Sequence, residues 1–133
     1  MRENNIDVRE AYLFGSYAKG KEKEKSDIDI AIYINEELLK DSKKTFDFQI
    51  EHMMNLSDIF RKEVDLVILN DASPLLKHEV ISDGILVVDK DHDKLVEFKK
   101  RSFYYYQDWL HLMDIRMMYI KERLSIYGKE RDN

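Results

Sequence analysis

Residues 13–34 read LFGSYAKGKEKEKSDIDIAIYI, and the two ends of that stretch decide how the rest of the chain is read. Residues 28–34 (IDIAIYI) alternate with period two over β-branched side chains, the pattern of a strand with two distinct faces. Residues 11–14 (AYLF) are a short apolar run stopped by Gly15-Ser16, which reads as a second strand. Between them KGKEKEKS alternates lysine with glutamate after a glycine, the composition of a solvated connection. In a strand starting at Ser26, the side chains of Asp27, Asp29, Ala31 and Tyr33 share one face, and Ile28, Ile30, Ile32 and Ile34 share the other. Two carboxylates therefore stand side by side at the start of a strand that its isoleucines anchor in the core.

Working outward, Leu39, Phe46, Ile50, Met53 and Phe60 recur at spacings that are sums of three and four, which predicts an amphipathic helix from Glu36 to about Lys62. VDLVIL, residues 64–69, predicts a short buried strand. Ser73-Pro74 supplies an N-cap and a first-turn proline, and Gly84 a stop, so a helix of about ten residues lies between them. ILVV, residues 85–88, reads as a further strand. From Asp91 to Tyr127 there is neither Gly nor Pro, and Leu95, Phe98, Tyr105, Trp109, Leu112, Ile120 and Leu124 fall near helical spacing, giving one long helix or two. This order predicts an α/β (α+β) fold: a mixed sheet flanked by helices, closed by a long C-terminal helix. No repeat or Pro/Gly-rich linker divides the chain, so residues 1–133 are expected to form a single domain.

Composition narrows the function. With 133 residues there is no room for a large multidomain enzyme, and without cysteine there are no disulfides, thiolate nucleophiles or Cys-based zinc sites. MRENNIDVRE has no apolar signal core and no run of about 18 apolar residues exists to span a membrane, so a cytoplasmic address is expected. A net charge of -5 argues against a general grip on nucleic acid. His52, His78, His92 and His111 show no metal-ligand spacing and are assigned no role.

The chemistry sits in the carboxylates. Asp27 and Asp29 repel each other unless a cation lies between them, and an all-oxygen pair suits Mg2+, with Mn2+ as an alternative. Asp65 interrupts an apolar strand, and if that strand lies beside the Asp27 strand, three carboxylates converge, enough for two metal ions and in-line phosphoryl chemistry. Gly15 lets the backbone approach a phosphate closely, while following amides and the Ser16 hydroxyl donate to its oxygens. Each feature alone has a plainer reading: a turn, a solvated cap, a surface aspartate. The joint pattern is stronger than its parts. Lys19 could reach a phosphate, whereas Lys21, Lys23 and Lys25 are offset by Glu22 and Glu24 and read as a solvated loop. Finally, the aromatics and methionines between Phe103 and Ile120 cover more than one helical face; part of that excess is core or, alternatively, a partner surface.

Gly15-Ser16, ten residues, then Asp27-x-Asp29 between hydrophobic strands resembles the signature of the nucleotidyltransferase superfamily that includes DNA polymerase β. More closely the chain resembles the minimal nucleotidyltransferase (MNT) family, through VDLVIL, SPLLKHEVISDG and ILVVD and more loosely into YYYQDW. The resemblance implies that Asp27 and Asp29 hold the metal, that Asp65 is the third carboxylate, and that Gly15 and Ser16 form the triphosphate turn, with ATP as substrate. It also implies a partner, a cognate HEPN-domain ribonuclease toxin whose tyrosine receives AMP, making this chain the antitoxin. Two departures stand out: Lys19 replaces a common arginine, a point charge for a bidentate fork, and only about ten residues precede the first strand, where many relatives carry a helix. The alternatives are an antitoxin that masks by contact alone, and an orphan transferase for a small molecule such as an aminoglycoside whose C-terminal helix closes a homodimer pocket.

Overall fold

The strand of isoleucines lies inside a four-stranded sheet of order β3-β2-β1-β4. The computed structural model describes residues 7–23, 25–36 and 40–131, with side chains as far as Gly128. Its elements are β1 (Val8–Phe14), α1 (Gly15–Ala18), β2 (Ile28–Ile34), α2 (Ser42–Phe60), β3 (Val64–Ile68), α3 (Pro74–Asp83), β4 (Ile85–Asp89) and α4 (His92–Arg131). A 3-10 turn, Leu69–Asp71, links β3 to α3. β1 pairs antiparallel with β2 and β4, and β2 pairs parallel with β3, so the sheet is mixed as the element order predicts.

Both faces of β2 are buried, each against a different layer. Ile32 and Ile34 pack with Ala11, Leu66, Ile68 and Phe48 of α2. Ala31 and Tyr33, on the aspartate face, pack with Tyr12, Leu69, Val80 of α3 and Leu95 and Phe98 of α4. The isoleucine face is thus only half of the core.

Several boundaries differ from those the sequence suggested. β1 begins at Val8, and β2 begins at Ile28, which leaves Asp27 just ahead of the strand. α2 starts at Ser42, not Glu36, because the Asp41 carboxylate caps it by accepting from the Lys44 amide at 3.1 Å. Leu39 lies outside the described residues, as do the residues ahead of Asp7 where a family helix would fall. The buried stripe of α2 is only partly the expected one: Met53 packs against the core, but Thr45 and Phe48 are buried, whereas Phe46 and Ile50 are exposed and Phe60 is half exposed. β3 is an edge strand rather than an interior one; its apolar side chains Val64, Leu66 and Ile68 are buried because they face α2. Two side chains of α2 cover its open backbone, Ser57 Oγ accepting from the Val64 amide at 3.0 Å and Gln49 donating to the Leu66 carbonyl at 2.6 Å.

α3 matches its signals residue for residue. Ser73 accepts from the Leu76 amide, Pro74 opens the helix, and Gly84 ends it where a Cβ would crowd the carbonyls of Val80 and Leu13. The C-terminal segment is one helix of 40 residues, about 60 Å long at 1.5 Å per residue. Leu95, Phe98 and Ser102 are buried, Tyr106, Trp109 and Met113 are half-buried, and every position from Asp114 to Gly128 is exposed. Most of the aromatic and methionine excess is therefore surface, not core. Among the described residues no helix is long and apolar enough to cross a membrane.

Candidate active site

The sheet brings the separated motifs to one corner. β1 ends at Phe14, which stands opposite Asp29 in the β1–β2 register, and the chain then turns sharply into α1 at Gly15 with φ of +72°. That left-handed conformation suits glycine, and a second constraint reinforces it: a Cβ at Gly15 would run into the Asp29 carboxylate. Removing the side chain at residue 15 is thus what allows backbone and carboxylate to share the corner. Ser16 follows, half-buried, its carbonyl accepting from the Lys21 amide at 2.9 Å. Lys19 closes α1 with its side chain exposed.

On the other side of β2, the adjacency expected for the VDLVIL strand is present. Asp29 stands opposite Asp65 in the parallel β2–β3 register, and the Glu63 carbonyl accepts from the Ile28 amide at 2.9 Å, locking the two strand starts together. Asp29 is half-buried between Gly15 and Asp65, while Asp27 and Asp65 are exposed. Burial pushes the Asp29 carboxyl above the usual aspartate range, and the charges of Asp65 and Asp27 push it further. Burial and the two neighbouring carboxylates together make this an acidic corner.

The convergence is looser than the sequence suggested. Among the described residues no three His, Cys, Asp or Glu side chains form a ready cation cage. Asp27 precedes the strand instead of lying within it, and like charges without a counter-ion repel. The donor set nonetheless fits a hard divalent cation: three carboxylates supply only oxygen, and two of them stand in register on neighbouring strands.

Two neighbours of this corner carried no sequence signal. Lys62 and Tyr17 meet beside it, with the Lys62 Nζ donating to the Tyr17 hydroxyl at 2.6 Å. They are 45 residues apart; Tyr17 lies within the glycine-turn stretch without a role assigned from the sequence, and Lys62 belongs to no local motif. The histidines stand elsewhere: His78 stacks on Tyr106, His52 stacks on Phe48, and His92 pairs with Asp89.

The chain is 35% identical over 81 residues to MJ0435 of Methanocaldococcus jannaschii, which carries the name of a protein adenylyltransferase, covering 61% of this chain and 81% of that one. It is 32% identical over 105 residues to the protein adenylyltransferase MntA of Shewanella oneidensis, covering 78% of this chain and 71% of MntA. Among solved structures, a chain of a toxin–antitoxin complex with AMP-PNP superimposes with a TM-score of 0.68 at 30% identity, covering 92% of both chains. A chain from the complex of tri-AMPylated Shewanella oneidensis HEPN toxin with MNT antitoxin gives 0.63 at 27% identity, covering 93% of this chain and 89% of that one. The model of the "Polymerase beta, Nucleotidyltransferase" family matches residues 1–93, a span that holds the glycine turn and all three aspartates. With the fold, the corner and that match in agreement, this chain belongs to the polymerase beta nucleotidyltransferase family.

Proposed function

We propose that this chain transfers AMP from ATP to a tyrosine hydroxyl of a cognate HEPN-domain toxin and so neutralises it. The observation that carries the reading is the corner itself: Gly15 backed against Asp29, and Asp29 in register with Asp65. The relatives bearing adenylyltransferase names and the toxin–antitoxin complexes of similar fold support the choice of acceptor.

In this reading Asp27 and Asp29 would hold a divalent cation such as Mg2+, and Asp65 would supply a further carboxylate for a second. When bound, the divalent ions neutralise phosphate charge and lower the pKa of the acceptor hydroxyl. The Gly15-Ser16 turn receives the triphosphate oxygens, with Lys19 at its exposed end. The tyrosine oxygen attacks the α-phosphorus, the bond to pyrophosphate breaks, and the phenolic proton leaves toward Asp65, which is exposed at the corner. The protein's contribution is positioning and charge balance.

The acceptor comes from outside because the described residues include no second lobe over the corner. α4 offers the surface for it. Tyr104, Leu112, Ile115, Met117, Met118 and Tyr119 are each at least half exposed, the residue types that dominate protein interfaces. The same helix can pair two copies of the chain.

The test uses Asp27→Asn with Asp29→Asn, nearly isosteric changes that remove two negative charges. Toxin incubated with wild-type protein, ATP and Mg2+ should gain the mass of adenylyl groups on tyrosine, and toxin incubated with the double variant should gain none. If the variant rescues toxin-expressing cells as well as the wild type does, neutralisation works by contact and the transfer is dispensable.

A further inference from the structure

Lys62 lies between α2 and β3, three residues before Asp65, and Tyr17 lies in α1, two residues after Gly15. Besides its hydrogen bond to the Tyr17 hydroxyl, the Lys62 ammonium stands 5.4 Å from the centre of the Tyr17 ring. Those two distances place the ammonium beyond the hydroxyl, in line with the C–O bond, so the contact is made through the oxygen and not over the ring face. Both residues are half-buried, so the contact is partly withdrawn from water and less screened than a surface pair.

The topology gives this contact its meaning. α1 leaves the end of β1, Lys62 leads into β3, and β2 with its aspartate lies between them. A link between those two elements has to bridge across the start of β2, where Asp27 and Asp29 stand. The chain also takes up an unfavourable conformation just before the link. Arg61 has φ of +53° and is the described non-glycine residue with positive φ. A left-handed conformation costs free energy for a residue with a Cβ, and such residues gather at functional sites. Here the turn ends α2 and delivers Lys62 toward Tyr17.

We propose that Lys62, through Tyr17, is a positioning residue for nucleotide binding: the pair clasps the glycine turn to the strand carrying Asp65 and so sets the spacing that a triphosphate and its cations must fit. The inference rests on the nucleotidyl-transfer reading of the corner and adds to it a component that acts on substrate affinity. Because the clasp is made before the reaction begins, its loss should appear in ATP affinity and KM more than in kcat.

The experiment compares Lys62→Met, Lys62→Arg, Tyr17→Phe and the Tyr17→Phe/Lys62→Met double variant. ATP is titrated calorimetrically with Mg2+, steady-state transfer is measured, and thermal melts are recorded. Lys62→Met should weaken ATP binding about tenfold, the size of one charge-assisted hydrogen bond, with kcat at saturating ATP within about twofold of wild type. Tyr17→Phe removes the oxygen that Lys62 holds and should lose a comparable amount. Lys62→Arg should recover most of the affinity, and the double variant should bind no worse than Lys62→Met, since both changes break one link. Unchanged ATP affinity in Lys62→Met, or fully additive losses in the double variant, overturns the clasp. If Lys62→Met melts well below wild type, Tyr17→Phe and Lys62→Arg decide: wild-type affinity in the first, or no recovery in the second, overturns it as well. The titration needs no acceptor, so wild-type protein that binds ATP but transfers no AMP defeats the proposed transfer while the binding comparison still judges the clasp.

Discussion

Glu10 has a fully buried carboxylate on the central strand β1, with neither oxygen hydrogen-bonded among the described residues. Burial, followed by the charges of Asp89 and Asp91, pushes its pKa up to about 7, and Arg9 only partly opposes them. The hydroxyl of Tyr12, two residues along the same strand, is likewise buried without a partner. A carboxyl that holds its proton more tightly when folded makes the native state less favourable as pH rises from about 4.5 toward 7, by up to about 3 kcal/mol. Above pH 7 the loss is complete; below about pH 4.5 it vanishes because both states are protonated. Glu10→Gln removes the ionisation, so its melting temperature should exceed that of wild type at pH 8 and lose that advantage at pH 5. A constant offset across that range would show that Glu10 does not titrate in it. At Gly15, an alanine meets both a left-handed backbone, at about 1–2 kcal/mol, and the Asp29 carboxylate. Gly15→Ala should lower the melting temperature and abolish calorimetric ATP binding with Mg2+. The glycine turn and the aspartate pair were legible in the sequence because each is a local pattern; Lys62 with Tyr17 was not, because only the sheet order brings them together.

Among the elements, α3 shows what local signals determine. Ser73, Pro74 and Gly84 act on their own backbone, so sequence and structure agree on both ends. α2 shows what they leave open. Its apolar residues fit two overlapping stripes, and the choice between them depends on how the helix lies on the sheet, so Phe48 is buried and Phe46 is not. Phe48→Ala should cost about 3–5 kcal/mol in urea unfolding, and Phe46→Ala should stay within about 0.5 kcal/mol, as for a surface change. Reversed magnitudes would mean that the helix is rotated on the sheet. The strand order was legible only as a condition on Asp65, since hydrophobic patterning specifies that a strand is buried but not beside which neighbour.

At the scale of the whole molecule, the feature that matters is how little of α4 the domain uses. α3 meets it as far as Tyr106, where His78 stacks at 3.7 Å between ring centres, and the helix then continues for six further turns or more, with Trp109 and Met113 half-buried and the apolar side chains beyond them in water. Tyr104→Glu with Met118→Glu should leave the melting temperature and ATP affinity unchanged while weakening capture of the toxin at least tenfold by surface plasmon resonance. Unchanged capture would move the docking surface off this helix. The aromatic excess in the sequence was a true signal, but composition alone could not say whether the aromatics turn inward; their exposure follows from a sheet too small to cover 40 helical residues.

That uneven support has a kinetic signature along the helix. Backbone amides exchange with deuterium at rates set by local opening, and a helix without packing opens far more easily than one held on a core. In the isolated chain, exchange should be slow from Leu95 to Tyr106, accelerate near Met113, and be fast through Tyr127. Bound toxin should move the slow zone outward, and the residue at which protection stops would mark the footprint of the complex.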